Sequence, residues 1–352
     1  MNTTSPRELG YTFPAEWMPH QATWLSWPHK EASWPGKIDS IYPVYTELVR
    51  LLSEFEAVHI NVLDQAMAEQ VANQLQQANA RMDQVFLHLF PTNDAWCRDH
   101  GPAFVISQLA EHPKALIDWG YNAWGDKYPP YDLDNEIPRH IAAYRQVPRF
   151  TPGIIMEGGA IEVNGAGTLL TTEACLLNPN RNPQLTKLQI EQYLRDYYGQ
   201  EQILWLGEGI VGDDTDGHID DLTRFVSRDT VVTVTERNPR DENHDLLQEN
   251  LRRLQGFRLR DGQPLRILEL PMPDPVVYDG QRLPASYANF YIANGLVVVP
   301  TYRCAQDQDA LDILADCFPE RMVVGLDSTD LIWGLGSFHC LSQQEPQVAP
   351  KT

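Results

Sequence analysis

Four segments, far apart in the chain, concentrate side chains capable of chemistry. Asn93-Asp-Ala-Trp-Cys-Arg-Asp-His-Gly-Pro102 sets carboxylates beside an indole. Asp99 can accept paired N–H groups of a planar cation while Trp96 offers a cation–π face; the plain alternative is an Arg98–Asp99 pair at a turn. Glu157-Gly-Gly-Ala160 puts two glycines in an extended stretch, which marks a bulge or a close backbone approach; the alternative is an irregular hairpin with a solvated glutamate. Gly212-Asp-Asp-Thr-Asp-Gly-His-Ile-Asp-Asp221 is an acidic run around one histidine. If residues 218–224 are extended, His218 and Asp220 share a face, a base beside a carboxylate. The run lacks the residue order and terminal Glu of an EF-hand, and its alternative is an acidic surface turn. Trp333-Gly-Leu-Gly-Ser-Phe-His-Cys340 lets the backbone bend at glycines and deliver Cys340 to a pocket; an inert buried thiol is the alternative.

Together these segments supply a nucleophile, a base and several carboxylates. His218, Asp220, His339 and Cys340 could in principle hold zinc, but H-E-x-x-H and C-x-x-C spacings are missing. The expectation is chemistry without a metal or other cofactor.

The elements that must position these residues read as an α/β chain with hairpins mixed in, not a plain parallel doubly wound sheet. Residues 41–55 have helical character and residues 58–63 strand character. Asp64 is a plausible N-cap for a helix that places Met67, Val71 and Leu75 on one face. Strands are predicted over residues 85–90, 103–106 and 115–119. Two more, 154–163 and 168–172, flank Asn164-Gly165, a strong hairpin signal. A helix spanning Leu185 to Tyr197 precedes a strand at 203–206. Strand, helix, strand then follow at 231–235, 245–254 and 265–270, and again at 296–299, 309–317 and 322–326. No linker and no repeat of fixed period appears, so the expectation is one domain over residues 1–352.

Composition narrows the function. Asp plus Glu outnumber Lys plus Arg by 48 to 27, a formal charge of -21. That balance disfavours nucleic acid and anionic membranes and suits a small cation. The five cysteines are scattered and odd in number, which argues for a reducing compartment rather than a disulfide framework. The stretch from Met1 to Leu9 is polar and reads as no signal peptide, and no apolar run reaches the roughly 20 residues of a membrane helix. A cytoplasmic protein is expected; a homo-oligomer stays open.

These motifs, in this order, resemble agmatine deiminase and the related bacterial peptidyl-arginine deiminases of the guanidine-modifying (pentein) superfamily. The resemblance begins at Phe13-Pro-Ala-Glu-Trp17 and Trp24-Leu-Ser-Trp-Pro28. It runs through the four segments, Leu170-Thr-Thr172 and Asn180-Arg-Asn-Pro183, and ends at His339-Cys340 and Gln343-Gln-Glu-Pro346. It implies a five-bladed, pseudo-symmetric α/β propeller with a central active site. It also implies Cys340 as nucleophile, His218 as acid/base, Glu157 as the carboxylate holding that histidine, and Asp99 and Asp220 as the grip on a guanidinium. Trp96 and Asp216 join them as expected substrate contacts. The implied reaction hydrolyses agmatine to N-carbamoylputrescine and ammonia through a thiouronium on Cys340. The alternatives are a deiminase of peptidyl or free arginine, an amidinotransferase, and a binding protein without turnover. An arginine substrate would call for a basic residue at the pocket mouth, for which Arg181 and Arg303 are the candidates. Two positions depart from the family pattern: Leu335 stands where a third glycine is common, and Asp216 where Asn is common.

Overall fold

An antiparallel strand pair, a helix and a parallel return strand recur along the chain. The computed structural model describes residues 4–348; Met1–Thr3 of the polar N-terminal stretch lie outside them. Ala103–Ile106 pairs antiparallel with Lys114–Ile117, and the helix Ile137–Arg145 leads to the parallel strand Arg149–Phe150. Glu162–Val163 and Thr168–Thr172 repeat the arrangement, with the helix Lys187–Tyr198 and the strand Gln202–Leu206. So do Thr223–Phe225, Thr230–Thr235, the helix His244–Gly256 and Arg266–Pro271. Tyr291–Ala293, Leu296–Thr301, the helix Gln306–Cys317 and Met322–Asp327 form a fourth copy.

The fifth sheet joins the two ends of the chain. Ser342–Pro346 supplies the antiparallel edge to His20–Ser26. The helix Ile38–Ser53 then leads to Ala57–Asn61, and the helix Gln65–Gln77 to a further parallel strand, Val85–His88. The sequence carries no period that marks these repeats, because the shared pattern is one of hydrogen bonding rather than residue identity.

Local signals account for the element ends. Asp64 Oδ1 accepts the Met67 N–H at 2.9 Å, as an N-cap does. Thr186 and Gln189 form a reciprocal capping box, and Ile190, Leu194 and Tyr198 form the buried stripe of the helix that follows. The inner strands Thr230–Thr235 and Thr168–Thr172 are buried at every residue, as strands covered on both faces must be.

Two expectations fail in the same way. Residues 154–163 form no continuous strand: Ile155 makes one isolated parallel bridge to Gly120, and only Glu162–Val163 joins a sheet, after a 3-10 turn at Gly158–Ala160. Residues 218–224 are not extended either, since Ile219–Asp221 is a 3-10 turn and the strand begins at Thr223. Each turn precedes the first strand of its hairpin.

Between the apolar clusters runs a charged interior. Arg224 is fully buried, and its Nη2 and Nε donate to Glu16 and Glu162, each at 2.8 Å. Its Nη1 donates to the carbonyls of Ala288 and Phe290. Removing one member of such a set leaves buried charge unpaired, which costs about 3–5 kcal/mol. Arg224→Met is therefore expected to lower unfolding stability by about that amount in a urea titration followed by circular dichroism. A midpoint matching the unaltered protein would contradict this role.

Candidate active site

Each catalytic candidate sits on, or immediately before, a short turn that precedes the first strand of a sheet. Asp99 lies on Cys97–His100, ahead of Ala103–Ile106. Glu157 precedes the turn Gly158–Ala160, and Asp220 lies on Ile219–Asp221. Cys340 lies on Phe338–Leu341, just before Ser342–Pro346. The remaining repeat supplies Asn289, two residues before Tyr291–Ala293. One position in the repeat, used five times, gathers residues that are far apart in sequence.

The gathered groups are close. His218 Nδ1 is 3.9 Å from both Asp99 Oδ1 and Asp220 Oδ1, and its Nε2 is 3.9 Å from Glu157 Oε2. These are ion-pair separations, longer than hydrogen bonds. The Cys340 thiol points at Asp220 Oδ2 at 3.6 Å and accepts from Asn289 Nδ2 at 3.0 Å. Both His218 nitrogens, Glu157 Oε2 and Asp220 Oδ1 are buried with no hydrogen-bond partner. Buried polar atoms are rarely left so. Such atoms offer hydrogen-bonding positions to a ligand or to water.

The outer oxygens are firmly held. Gly159 N–H and Trp124 Nε1 donate to the two oxygens of Asp99, each at 2.9 Å. His339 bridges Asp220 Oδ2 at 2.6 Å and Glu16 Oε2 at 2.8 Å. Arg181 Nε meets Glu157 Oε1 at 2.6 Å. The glycine at 159 is sterically required, because a Cβ there would come within 2.5 Å of His218 Nδ1.

Electrostatics follow from this packing. Burial alone would discharge His218, but Asp99 and the other negative groups outweigh it and hold its pKa well above the ordinary imidazole value. Burial likewise opposes the charge on Glu157 and Asp220. Arg181 and His218 overcome it for Glu157, and His339, His218 and Arg224 for Asp220, so both pKa values are lowered. Asp99 is raised, by burial first and then by Asp220 and Glu157. Burial and the carboxylates Asp220, Asp221 and Asp99 push the Cys340 thiol well above its usual value.

Asp99 and Cys340 line a cavity of about 220 Å³ together with Trp96, Trp124, Tyr128 and Trp333. Asp94, Asp214, Lys30 and Leu335 line it too. Trp96, an expected substrate contact, is among the lining residues. Asp216 does not line the cavity: its carboxylate is taken by Lys127, Asn180 and Arg181. Arg181 is buried behind Glu157, and Arg303 pairs with Asp327 away from the cavity, so neither meets a substrate at the mouth. Glu157, Cys175 and His218 offer ligand-type atoms within 4.8 Å of one another, but the Arg181 charge against Glu157 opposes a second cation there.

The relatives of this chain carry the same architecture over its whole length. The Porphyromonas-type peptidyl-arginine deiminase family matches residues 12–346. This chain belongs to that family. An agmatine deiminase of Ectopseudomonas mendocina is 35% identical over 98% of each chain. The structure of an Enterococcus faecalis agmatine deiminase, described as catalysing its reaction, superposes with a TM-score of 0.91 at 30% identity, covering 99% of both chains. A C. jejuni agmatine deiminase with a Cys-to-Ser substitution and bound substrate gives 0.87 at 31% identity over 96% of both.

Several members of this deiminase site carried no readable signal. Trp124 sits in a stretch whose chemistry emerges only through the backbone: Ala123, Trp124, Gly125 and Asp126 all have left-handed φ, which costs about 1–2 kcal/mol per non-glycine residue. Asn289 is an ordinary asparagine until folding sets it against Cys340. His339 reads in the sequence as a possible zinc ligand, whereas in the structure it holds Asp220.

Asp221 gives a test of the buried charge. Its pKa is raised well above the carboxylate range by burial, Asp220 and Asp213. A carboxyl raised on folding costs stability that grows as pH climbs from the unfolded value to the folded one. Asp221→Asn removes that cost. Its thermal midpoint relative to the unaltered protein should therefore improve from pH 5 to pH 8; a difference constant with pH would contradict the assignment.

Proposed function

We propose that this chain is an agmatine deiminase, hydrolysing the guanidinium of agmatine to N-carbamoylputrescine and ammonia. The observation that carries the reading is the set of unpartnered atoms on His218, Glu157 and Asp220, buried beside the Cys340 thiol and closed by carboxylates. A guanidinium is a planar cation whose N–H groups suit the free carboxylate oxygens of Glu157 and Asp220, while the protonated His218 is placed to donate to a departing nitrogen. Asp99 and Asp220 would each take a pair of N–H groups and fix its plane. The aromatic lining suits a short aliphatic tail.

In the first step Cys340 Sγ bonds to the guanidinium carbon. The thiol proton goes to solvent as the cation binds, His218 passes its proton to the departing –NH2, the C–N bond breaks, and ammonia leaves a thiouronium on sulfur. In the second step the now neutral His218 takes a proton from water. The water oxygen bonds to carbon, the C–S bond breaks, and Cys340 returns with the ureido product. Glu157 keeps His218 charged across the 3.9 Å gap and, through Arg181, stays ionised itself.

The cavity lining favours agmatine over arginine. It contains three carboxylates, Asp94, Asp99 and Asp214, and one cation, Lys30, which is 3.4 Å from Asp94. A terminal ammonium suits that field, while an α-carboxylate meets like charge. We read the five sheets as blades of a five-bladed α/β propeller forming one catalytic domain over residues 1–352, with the site where their pre-hairpin turns converge. Ser342–Pro346 beside Ala103–Ile106, and Thr223–Phe225 beside Glu162–Val163, support that closure. Among the described residues no helix is long and apolar enough to cross a membrane, and a thiol nucleophile that must stay reduced suits the cytoplasm.

Parallel turnover of agmatine, free arginine and a short arginine peptide tests the substrate. We expect kcat/KM for agmatine to exceed the others by about two orders of magnitude, and Cys340→Ala to form no ureido product. Equal turnover of arginine would overturn the choice of substrate. Activity retained in Cys340→Ala would overturn the mechanism.

A further inference from the structure

Left-handed residues ordinarily occur singly and as glycine. Here four in succession, Ala123, Trp124, Gly125 and Asp126, have φ of 47°, 57°, 94° and 62°. Strain of this kind persists where the surroundings over-determine it, and they do so from several sides. Asn122 Oδ1 accepts from Gly125 N at 2.9 Å, and Asn122 O from Asp126 N at 2.7 Å. Asn122 Nδ2 donates to the Asn180 carbonyl at 2.9 Å. The next two residues clasp the loop that leads to His218: Lys127 Nζ donates to Asp214 O at 2.6 Å and Asp216 Oδ1 at 2.9 Å, and Tyr128 donates to the Asp214 carboxylate.

What this turn delivers to the site is one indole. Trp124 Nε1 donates to Asp99 Oδ2 at 2.9 Å, and Gly159 N donates to Asp99 Oδ1 at the same distance. One donor on each oxygen fixes the carboxylate plane and leaves each oxygen a further lone pair for a guanidinium N–H. We propose that Trp124 is a positioning residue for the deiminase reaction: the left-handed turn holds its N–H on Asp99, fixing that carboxylate's plane and its charge, while the ring walls the cavity. This rests on the reading of Asp99 as a guanidinium ligand. The titratable groups that face Asp99 are His218, Asp220, Glu157 and Cys340, with Cys97 of its own turn and Tyr121 nearby. Of these, His218 favours the Asp99 carboxylate, while Asp220 and Glu157 oppose it. A donor on Oδ2 therefore helps to keep Asp99 ionised.

Trp124→Phe keeps an aromatic wall and removes the donor. The expected result is a roughly tenfold or greater loss of kcat/KM for agmatine, carried mainly by KM. The acid limb of the kcat/KM profile should move up by about one pH unit, because Asp99 then protonates more readily. Asn122→Ala, which loosens the turn but keeps the indole, should move the same limb in the same direction by less. A fall in kcat with the acid limb unmoved in both variants would overturn the proposal. A second measurement needs neither substrate nor a variant. In protein carrying 15N-labelled indoles, one of the nine tryptophan N–H resonances should titrate at a pH matching Asp99 protonation. If none does, the bond is not what holds Asp99, whatever the substrate. If one does while agmatine is not turned over, the substrate reading fails and the positioning role stands.

Discussion

Asp99, Glu157 and Asp220 are taken out of water around a single imidazole, each carboxylate 3.9 Å from His218. Charge removed from water is costly unless it is matched, and one imidazolium cannot match three carboxylates. The rest of the structure is organised around keeping that negative charge in place. Arg181 stands behind Glu157, and His339 holds Asp220. Asp99 is the exception: its outer donors are neutral N–H groups, and its pKa is raised. The imbalance is what prepares the site for a cation.

The same imbalance bears on the proposed nucleophile, Cys340. A thiol surrounded by carboxylates stays protonated, and Cys340 is pushed well above the usual thiol range. On the proposed reading, a bound guanidinium would reverse the local field, so that the sulfur becomes reactive when the carbon it attacks is already beside it. Asn289, donating to Sγ at 3.0 Å, favours the thiolate once it forms. Geometry serves the same end in the nucleophile loop. A Cβ at Gly336 would lie 2.6 Å from the Trp96 ring and 3.1 Å from Cys340 Cβ, so glycine is required there. Leu335 has left-handed φ of 68° and lines the cavity.

Much of this could be read from the chain before folding, and the limits have physical causes. Cys340, His218, Glu157, Asp99, Asp220 and Trp96 stand out in the sequence because reactive residue types cluster with glycines, and the roles proposed for them come from the family resemblance. The hairpins, the Asp64 cap and the amphipathic helices followed from residue spacing. The two stretches expected to be extended, 154–163 and 218–224, break into 3-10 turns, since no local rule says that a buried charged side chain will bend the strand before it. Asp216 is an expected substrate contact from the family resemblance, but its backbone is left-handed and its carboxylate is held by Arg181 and Lys127. Trp124, Asn289 and His339 owe their roles to contacts made across sheets, which spacing along the sequence does not encode.

The central claim is that buried carboxylates keep Cys340 protonated until a cation arrives. It is tested most directly by the pH dependence of Cys340 alkylation with two reagents of similar size, neutral iodoacetamide and the amidinium 2-chloroacetamidine. Each rate is referred to that with a free cysteine thiol. The account predicts that at pH 7 iodoacetamide modifies Cys340 more slowly than free cysteine, with a pH midpoint displaced above the thiol value of about 8.5. The amidinium should react faster than with free cysteine by at least about tenfold, since it brings the missing positive charge. A Cys340 that titrates at or below the free thiol value, with no preference for the cationic reagent, would contradict it.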